Sequence, residues 1–216
     1  MKRYKTFISF EGIDFSGKTT QISRLLASLK KINFEVHVFR EPGGTEISER
    51  IRELLLDPAL HIMHARTEIL LYSAARAQLV HEKLLPFLNE GKYVIADRFY
   101  DSTTTYQGYG RNLDIRFVNQ LNRFATSGLT PYKTFLIDIS PEEAYRRHQK
   151  ARRRRDRLES EKISFYHAIR EGFQKLCSEF PNRFIIINGE KSEEDVADEI
   201  WEHLRIIWHL NDKNVT

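Results

Sequence analysis

At 216 residues and 41% hydrophobic content, the chain is long enough to bury the core of one α/β domain, and nothing in it calls for two. Its only cysteine, Cys177, excludes an intramolecular disulfide and fits a reducing, cytoplasmic setting, and no stretch is long and apolar enough to span a membrane. The net charge of +4 is local: residues 146 to 157 hold eight Lys/Arg against one acid, which leaves the remainder slightly acidic and points to one phosphorylated ligand rather than to nucleic acid.

The basic start, Met1 to Lys5, precedes an apolar run that is too short for a signal peptide. That run, Thr6 to Phe10, reads as a buried strand and leads into Gly-x-x-x-x-Gly-Lys-Thr at Gly12 to Thr19. Behind the lysine, Thr19 to Leu29 carries apolar residues at helical spacing. Strand, glycine loop and helix start form a cradle in which backbone N–H groups and the helix dipole face phosphate oxygens. Gly12, Ile13, Asp14, Phe15, Ser16, Gly17, Lys18, Thr19 and Thr20 therefore read as the ATP-phosphate site, with Lys18 on the β/γ-phosphates and the Thr19 hydroxyl on Mg²⁺.

Four further strands are expected at Glu35 to Arg40, Tyr93 to Asp97, Thr134 to Asp138 and Arg183 to Ile187, each short and apolar. Segments of helical period alternate with them, so the fold class is α/β, a five-stranded parallel sheet flanked by helices. Ligands of such sheets sit beyond the carboxyl ends of the strands, which selects residues 40–45, 97–100 and 188–190. Asp97 ends its strand where a carboxylate can bond the loop hydroxyl and hold Mg²⁺, and Arg98 follows it. Ser140-Pro141-Glu142-Glu143 and Ser192-Glu193-Glu194-Asp195 are helix starts. Between them, Arg146, Arg147, Lys150 and Arg152 to Arg155 crowd like charge at a helix end, the behaviour of a mobile basic lid over about 146–158 that closes on ATP.

The phosphate loop, Arg40-Glu-Pro-Gly-Gly-Thr45, Tyr72-Ser-Ala-Ala-Arg-Ala-Gln78, Asp97-Arg98 with Ser102 and Tyr106-Gln-Gly-Tyr-Gly-Arg111, and Asp156-Arg-Leu-Glu159 occur in order. Together they resemble bacterial thymidylate kinase from about residue 5 to 200. The resemblance implies the P-loop nucleoside monophosphate kinase fold, one kinase domain over 1–216, and transfer of the γ-phosphoryl of ATP to dTMP with Mg²⁺. It also implies a homodimer with the contact near Arg66 to Leu85 or the helix after the third strand. Arg98 and Arg52 are implied to grip the acceptor phosphate, Glu41 and Asp97 to organise magnesium and the neighbouring cations, and Asp14 to accept the deoxyribose 3′-hydroxyl. Tyr72 and Arg76, four apart on one helix, face the base together. Thr103 is implied near base N3, Gln107 at the pyrimidine edge and Tyr106 against the sugar.

Phe15 stands where another branch of the family has a loop arginine, so the lid is expected to supply the catalytic arginine. Counting back from Asp156-Arg157 favours Arg152, with Arg147 stacking on adenine and the register open by one or two residues. Ala75 replaces a common aspartate, which leaves Arg76 without that orienting partner, and Phe99 replaces a commoner tyrosine. The rival within enzymes is a kinase for another pyrimidine nucleotide or a deoxynucleoside. Outside that class stands a P-loop switch or nucleic-acid-binding ATPase, disfavoured because the chain has no Asn-Lys-x-Asp base reader and no basic surface beyond the one run.

Overall fold

The computed structural model describes residues 2–151 and 156–210. Five strands, β1 (Lys2–Glu11), β2 (His37–Arg40), β3 (Val94–Asp97), β4 (Leu129–Asp138) and β5 (Phe184–Asn188), pair in parallel in the order β2-β3-β1-β4-β5. All five fall where the apolar runs predicted them. β1 and β4 begin earlier because Lys2 to Tyr4 pairs with Leu129 to Pro131 ahead of a register irregularity between Tyr4 and Ile8.

The helices are α1 (Lys18–Lys31), α2 (Glu46–Leu56), α3 (Ala65–Leu79), α4 (Leu85–Asn89), α5 (Tyr100–Thr103), α6 (Ile115–Ala125), α7 (Pro141–Lys150), α8 (Ile163–Glu179) and α9 (Glu193–Ile207). Successive strand residues feed opposite layers, as a two-residue period requires. Ile8, Phe10, Ile95, Phe135 and Ile137 pack with Leu25 and Leu29 of α1 and Ile200 and Leu204 of α9. Phe7, Val94 and Ala96 meet Leu79, Val80 and Leu84 on the other face, and Leu136 joins Ile169 and Phe173 of α8.

Both expected caps form: Ser140 accepts from Glu143 N and Ser192 from Asp195 N. The helix expected over Arg66 to Leu85 is not one regular helix. It widens to a π turn at Val80–Leu84 ahead of Pro86, which has no N–H to continue the ladder. A second π segment, Thr104–Gly110, follows α5 and had no counterpart in the sequence reading. The chain leaves β1 on one side for β2 and β3 and on the other for β4 and β5, so a crevice opens at the carboxyl end of β1. Among the described residues no helix is long and apolar enough to cross a membrane.

Candidate active site

A cavity of about 1010 Å³ lies in that crevice. It is lined by Asp14 to Thr20, Glu41, Arg52, Tyr72, Arg76, Asp97, Arg98, Thr103, Tyr106, Gln107 and Arg147, which is every expected site residue except Gly12, Ile13 and Arg152. Gly12 and Ile13 contribute backbone to the loop floor, and Arg152 lies outside the described residues.

The loop takes its shape from two glycines. Gly12 has φ 145° and a Cβ there would sit 2.5 Å from the Ile137 carbonyl oxygen, while Gly17 caps α1 at φ 96°. Lys18, the first residue of α1, turns its ammonium back over the loop and donates to Gly12 O (3.0 Å), Ile13 O (2.8 Å) and Ser16 Oγ (3.2 Å). Burial, and then Arg98 beside it, lower the Lys18 pKa to about 7, against the opposing pull of Asp14, Asp97 and Glu11. An incoming polyphosphate reverses that balance, because a nearby anion favours the ammonium form. The Thr19 hydroxyl donates to Asp97 Oδ2 at 3.0 Å, the pairing expected of a loop hydroxyl and a strand-end carboxylate.

Arg98 follows β3 in the left-handed backbone region, φ 70°, a strained position for an arginine. Its amide is fixed to Phe10 O (3.0 Å), and its guanidinium donates to Gly12 O (2.8 Å), Ser102 Oγ (3.0 Å) and Asp14 Oδ1 (2.6 Å). Tyr106, from the π segment, donates its hydroxyl to Asp14 Oδ2 at 2.9 Å. Burial by itself would raise the Asp14 carboxyl, but Arg98, Lys18 and the Tyr106 hydroxyl outweigh it and hold the group below its ordinary value. Asp14 is thus a fixed anion that orients the Arg98 guanidinium.

Arg76 is not left without a partner by Ala75. Its Nε donates to Glu41 Oε2 (2.7 Å), Nη1 to Thr103 Oγ1 (2.9 Å) and Nη2 to Phe99 O (3.2 Å), with both ionic side chains almost fully buried. The orienting carboxylate comes from the loop after β2 instead of from α3. Glu41 therefore organises the base-side cation rather than the Thr19–Asp97 pair. Burial raises its pKa, Arg76 offsets part of the rise, and its second oxygen, Oε1, is buried without a partner. Arg52 donates to Pro42 O at 2.8 Å and reaches the cavity between that loop and Tyr72.

The expected lid divides. Arg146 and Arg147 lie on α7, where both are paired with Glu143, and Arg147 also donates to Ser16 O (3.3 Å) and Gly189 O (2.7 Å), joining the phosphate loop to the turn after β5. Those two arginines hold the Glu143 carboxyl down to about 2. Arg157, expected inside the moving stretch, is buried and fixed: its Nε donates to Leu55 O and its Nη1 to Glu68.

Two carboxylates escaped the sequence reading. Glu11 ends β1 fully buried, accepting from Phe99 N (2.7 Å) and from the Ser102 hydroxyl that Arg98 also bonds. Burial and then Asp101 push its pKa up to about 7. The signal was present as a glutamate closing an otherwise apolar strand. Glu68, the second, receives Gln107 Nε2 (2.9 Å) and Arg111 and had only its place in the first turn of a helix to mark it.

Oxygen donors with a single carboxylate suit magnesium, which binds through one or two carboxylates plus substrate phosphates. Among the described residues no cluster of three or more His, Cys, Asp or Glu offers an all-protein metal cage.

The thymidylate kinase family model matches residues 10–200. The thymidylate kinase of Caldanaerobacter subterraneus subsp. tengcongensis is 51% identical over 183 residues, 85% of this chain and 86% of that protein. That of Thermoanaerobacter pseudethanolicus is 49% identical over 202 residues, covering 92% and 98%. The crystal structure of thymidylate kinase from Ehrlichia chaffeensis superposes with a TM-score of 0.75 at 33% identity, covering 95% of this chain and 99% of that one.

Proposed function

The chain belongs to the thymidylate kinase family, and from that premise we propose how its cavity performs the transfer. The protein phosphorylates dTMP to dTDP with ATP as donor. One observation carries the assignment of roles: Arg98 is bonded both to the phosphate-loop carbonyl of Gly12 and to Asp14, which fixes the acceptor cation directly against the donor cradle.

The loop amides and Lys18 hold the ATP phosphates, and Arg98 with Arg52 holds the dTMP phosphate. An acceptor phosphate oxygen then bonds the γ-phosphorus in line as the bond to the β,γ-bridging oxygen breaks, leaving ADP. Charge spreads over the transferring oxygens, so the work is positional and electrostatic. Thr19 and Asp97 would hold magnesium, which would supply charge neutralisation to the donor phosphates. The role of the lid arginine that stabilises the transferring group goes to Arg152, and Arg147 supports the adenine.

On the acceptor side Tyr72 stacks on thymine and Arg76 donates to a base carbonyl. Thr103 and Gln107 read the pyrimidine edge, Asp14 takes the 3′-hydroxyl and Tyr106 excludes a ribose 2′-hydroxyl. The whole chain works as one kinase domain in the cytoplasm, with no nucleic-acid partner. It pairs as a homodimer through α3 and α6, where Leu70, Phe117 and Phe124 expose apolar surface.

ADP release with Mg-ATP across dTMP, dUMP, dCMP, UMP, thymidine and no acceptor tests this reading. A strong preference for dTMP that disappears in Lys18→Ala is expected. Preference for another nucleotide refutes the base pocket, and ADP release without an acceptor refutes the coupling of the two sites.

A further inference from the structure

Glu68 sits in the first turn of α3, one turn from Tyr72 and two from Arg76, and its side chain is fully buried. Four donor groups converge on it. Gln107 gives Nε2 at 2.9 Å, Arg111 gives Nε at 3.2 Å and Nη2 at 3.1 Å, and Arg157 gives Nη1. They come from two places far apart in the chain: the π segment that carries the base edge, and the stretch that returns from the basic run. The cluster is closed on its outer side, where Arg111 donates Nη1 to Glu161 Oε1 at 2.6 Å. Arg157 is held a second time by Leu55 O at 2.9 Å, at the end of α2.

An isolated carboxylate in such a place is strongly unfavourable, and apolar side chains of equal volume would stabilise the fold as well or better. The ionic cluster therefore asks for a geometric reason. With its amide nitrogen held by Glu68, Gln107 cannot flip, so its carbonyl oxygen is the end left to meet a donor. A thymine offers a donor at N3–H, whereas cytosine offers an acceptor there. Arg157 directly follows Asp156, which lines the cavity, and lies five residues from Arg152. Hence the carboxylate that orients the base reader also fixes the root of the basic stretch.

We propose that Glu68 is a positioning residue for phosphoryl transfer, tying Gln107 of the acceptor pocket and Arg157 at the return of the basic stretch to one carboxylate. It touches neither substrate. The inference rests on the roles given above to the acceptor pocket and the basic stretch. Burial acts to raise the Glu68 pKa, yet hydrogen bonds from Arg111 and Gln107 hold it below its ordinary value, so the carboxylate stays charged through the working range.

Steady-state kinetics of the full-length wild type, Glu68→Gln and Arg157→Lys, with dTMP and dCMP at saturating Mg-ATP, test this beside melting curves. Glu68→Gln keeps the volume but turns an amide toward the arginines. The expected result is a folded enzyme with kcat for dTMP lowered about 10–100-fold and dTMP over dCMP discrimination lowered at least tenfold. Arg157→Lys keeps the charge and loses the second anchor; it is expected to lower kcat several-fold with discrimination intact. A folded Glu68→Gln with wild-type kcat and discrimination overturns the inference, as does a lower melting temperature with kcat per active site unchanged. Should Glu68→Gln fail to fold, Arg157→Lys decides: unchanged kcat overturns the proposal, and lowered kcat with intact discrimination sustains it. A wild type that does not phosphorylate dTMP would instead defeat the functional reading itself.

Discussion

The acceptor half of the cavity and the donor half are built in opposite ways. On the acceptor side Arg76 and Glu41 are 2% and 3% exposed and locked to each other, while Arg98, Asp14 and Tyr106 form a second closed set. On the donor side the proposed phosphate cradle is backbone, and the nearby arginines lie along the rim of α7, where Arg146 is 56% exposed. Selecting one base requires polar groups fixed before the ligand arrives, since a buried donor left unpaired by the wrong base is costly. Gripping a triphosphate needs positive potential along the rim. In the proposed reading, specificity therefore falls to the closed half and the grip on the donor to the more exposed one.

The contrast breaks most sharply at Lys18, the cation of the phosphate loop. Lys18→Ala should lower kcat by about 10⁴-fold, or ~5 kcal/mol of transition-state stabilisation, while dTMP binding survives; single-turnover ADP formation reads the first and calorimetry the second. Arg76→Ala should destabilise the fold by about 3–5 kcal/mol by stranding the Glu41 charge, besides raising the KM for dTMP. Urea denaturation measures it, and the double variant Glu41→Gln/Arg76→Met should regain part of the loss.

Glu11 sharpens the comparison through pH. Its folded pKa, about 7, lies above its unfolded value, so the native state binds the proton more tightly. The stability this proton contributes is full below about 4.5 and is lost as pH rises to about 7, a change on the order of 3 kcal/mol. Relative to wild type, Glu11→Gln should therefore gain stability across that window and level off above it, in denaturation curves taken at several pH values. The smallest effect belongs to the exposed rim. Arg146→Ala should leave the denaturation midpoint unchanged and raise the KM for ATP only a few-fold, leaving the KM for dTMP alone.

What the sequence disclosed follows the same division. The phosphate loop, the five strands and the two serine caps depend on residues within a few positions of one another, and each appears where its pattern put it. The acceptor pocket depends on partners that no local pattern joins. Glu41 reaches Arg76 across 35 residues and Glu68 reaches Gln107 across 39. Spacing placed Tyr72 and Arg76 on one face, yet it could not say that Ala75 would be compensated from another loop. The π segment at Thr104–Gly110 was illegible for a related reason: its widened turns pack against α6 and α8, partners that no local pattern names. Arg157 was assigned to the moving stretch because charge density alone cannot separate a solvated arginine from one buried on a glutamate.

The most direct test of a preformed acceptor half is calorimetric titration of dTMP, with no donor nucleotide, into wild type, Lys18→Ala and Arg76→Ala. The account predicts closely similar affinities for wild type and Lys18→Ala and at least a tenfold loss in folded Arg76→Ala. Wild-type affinity in Arg76→Ala, or dTMP binding that requires the donor site to be intact, would contradict it.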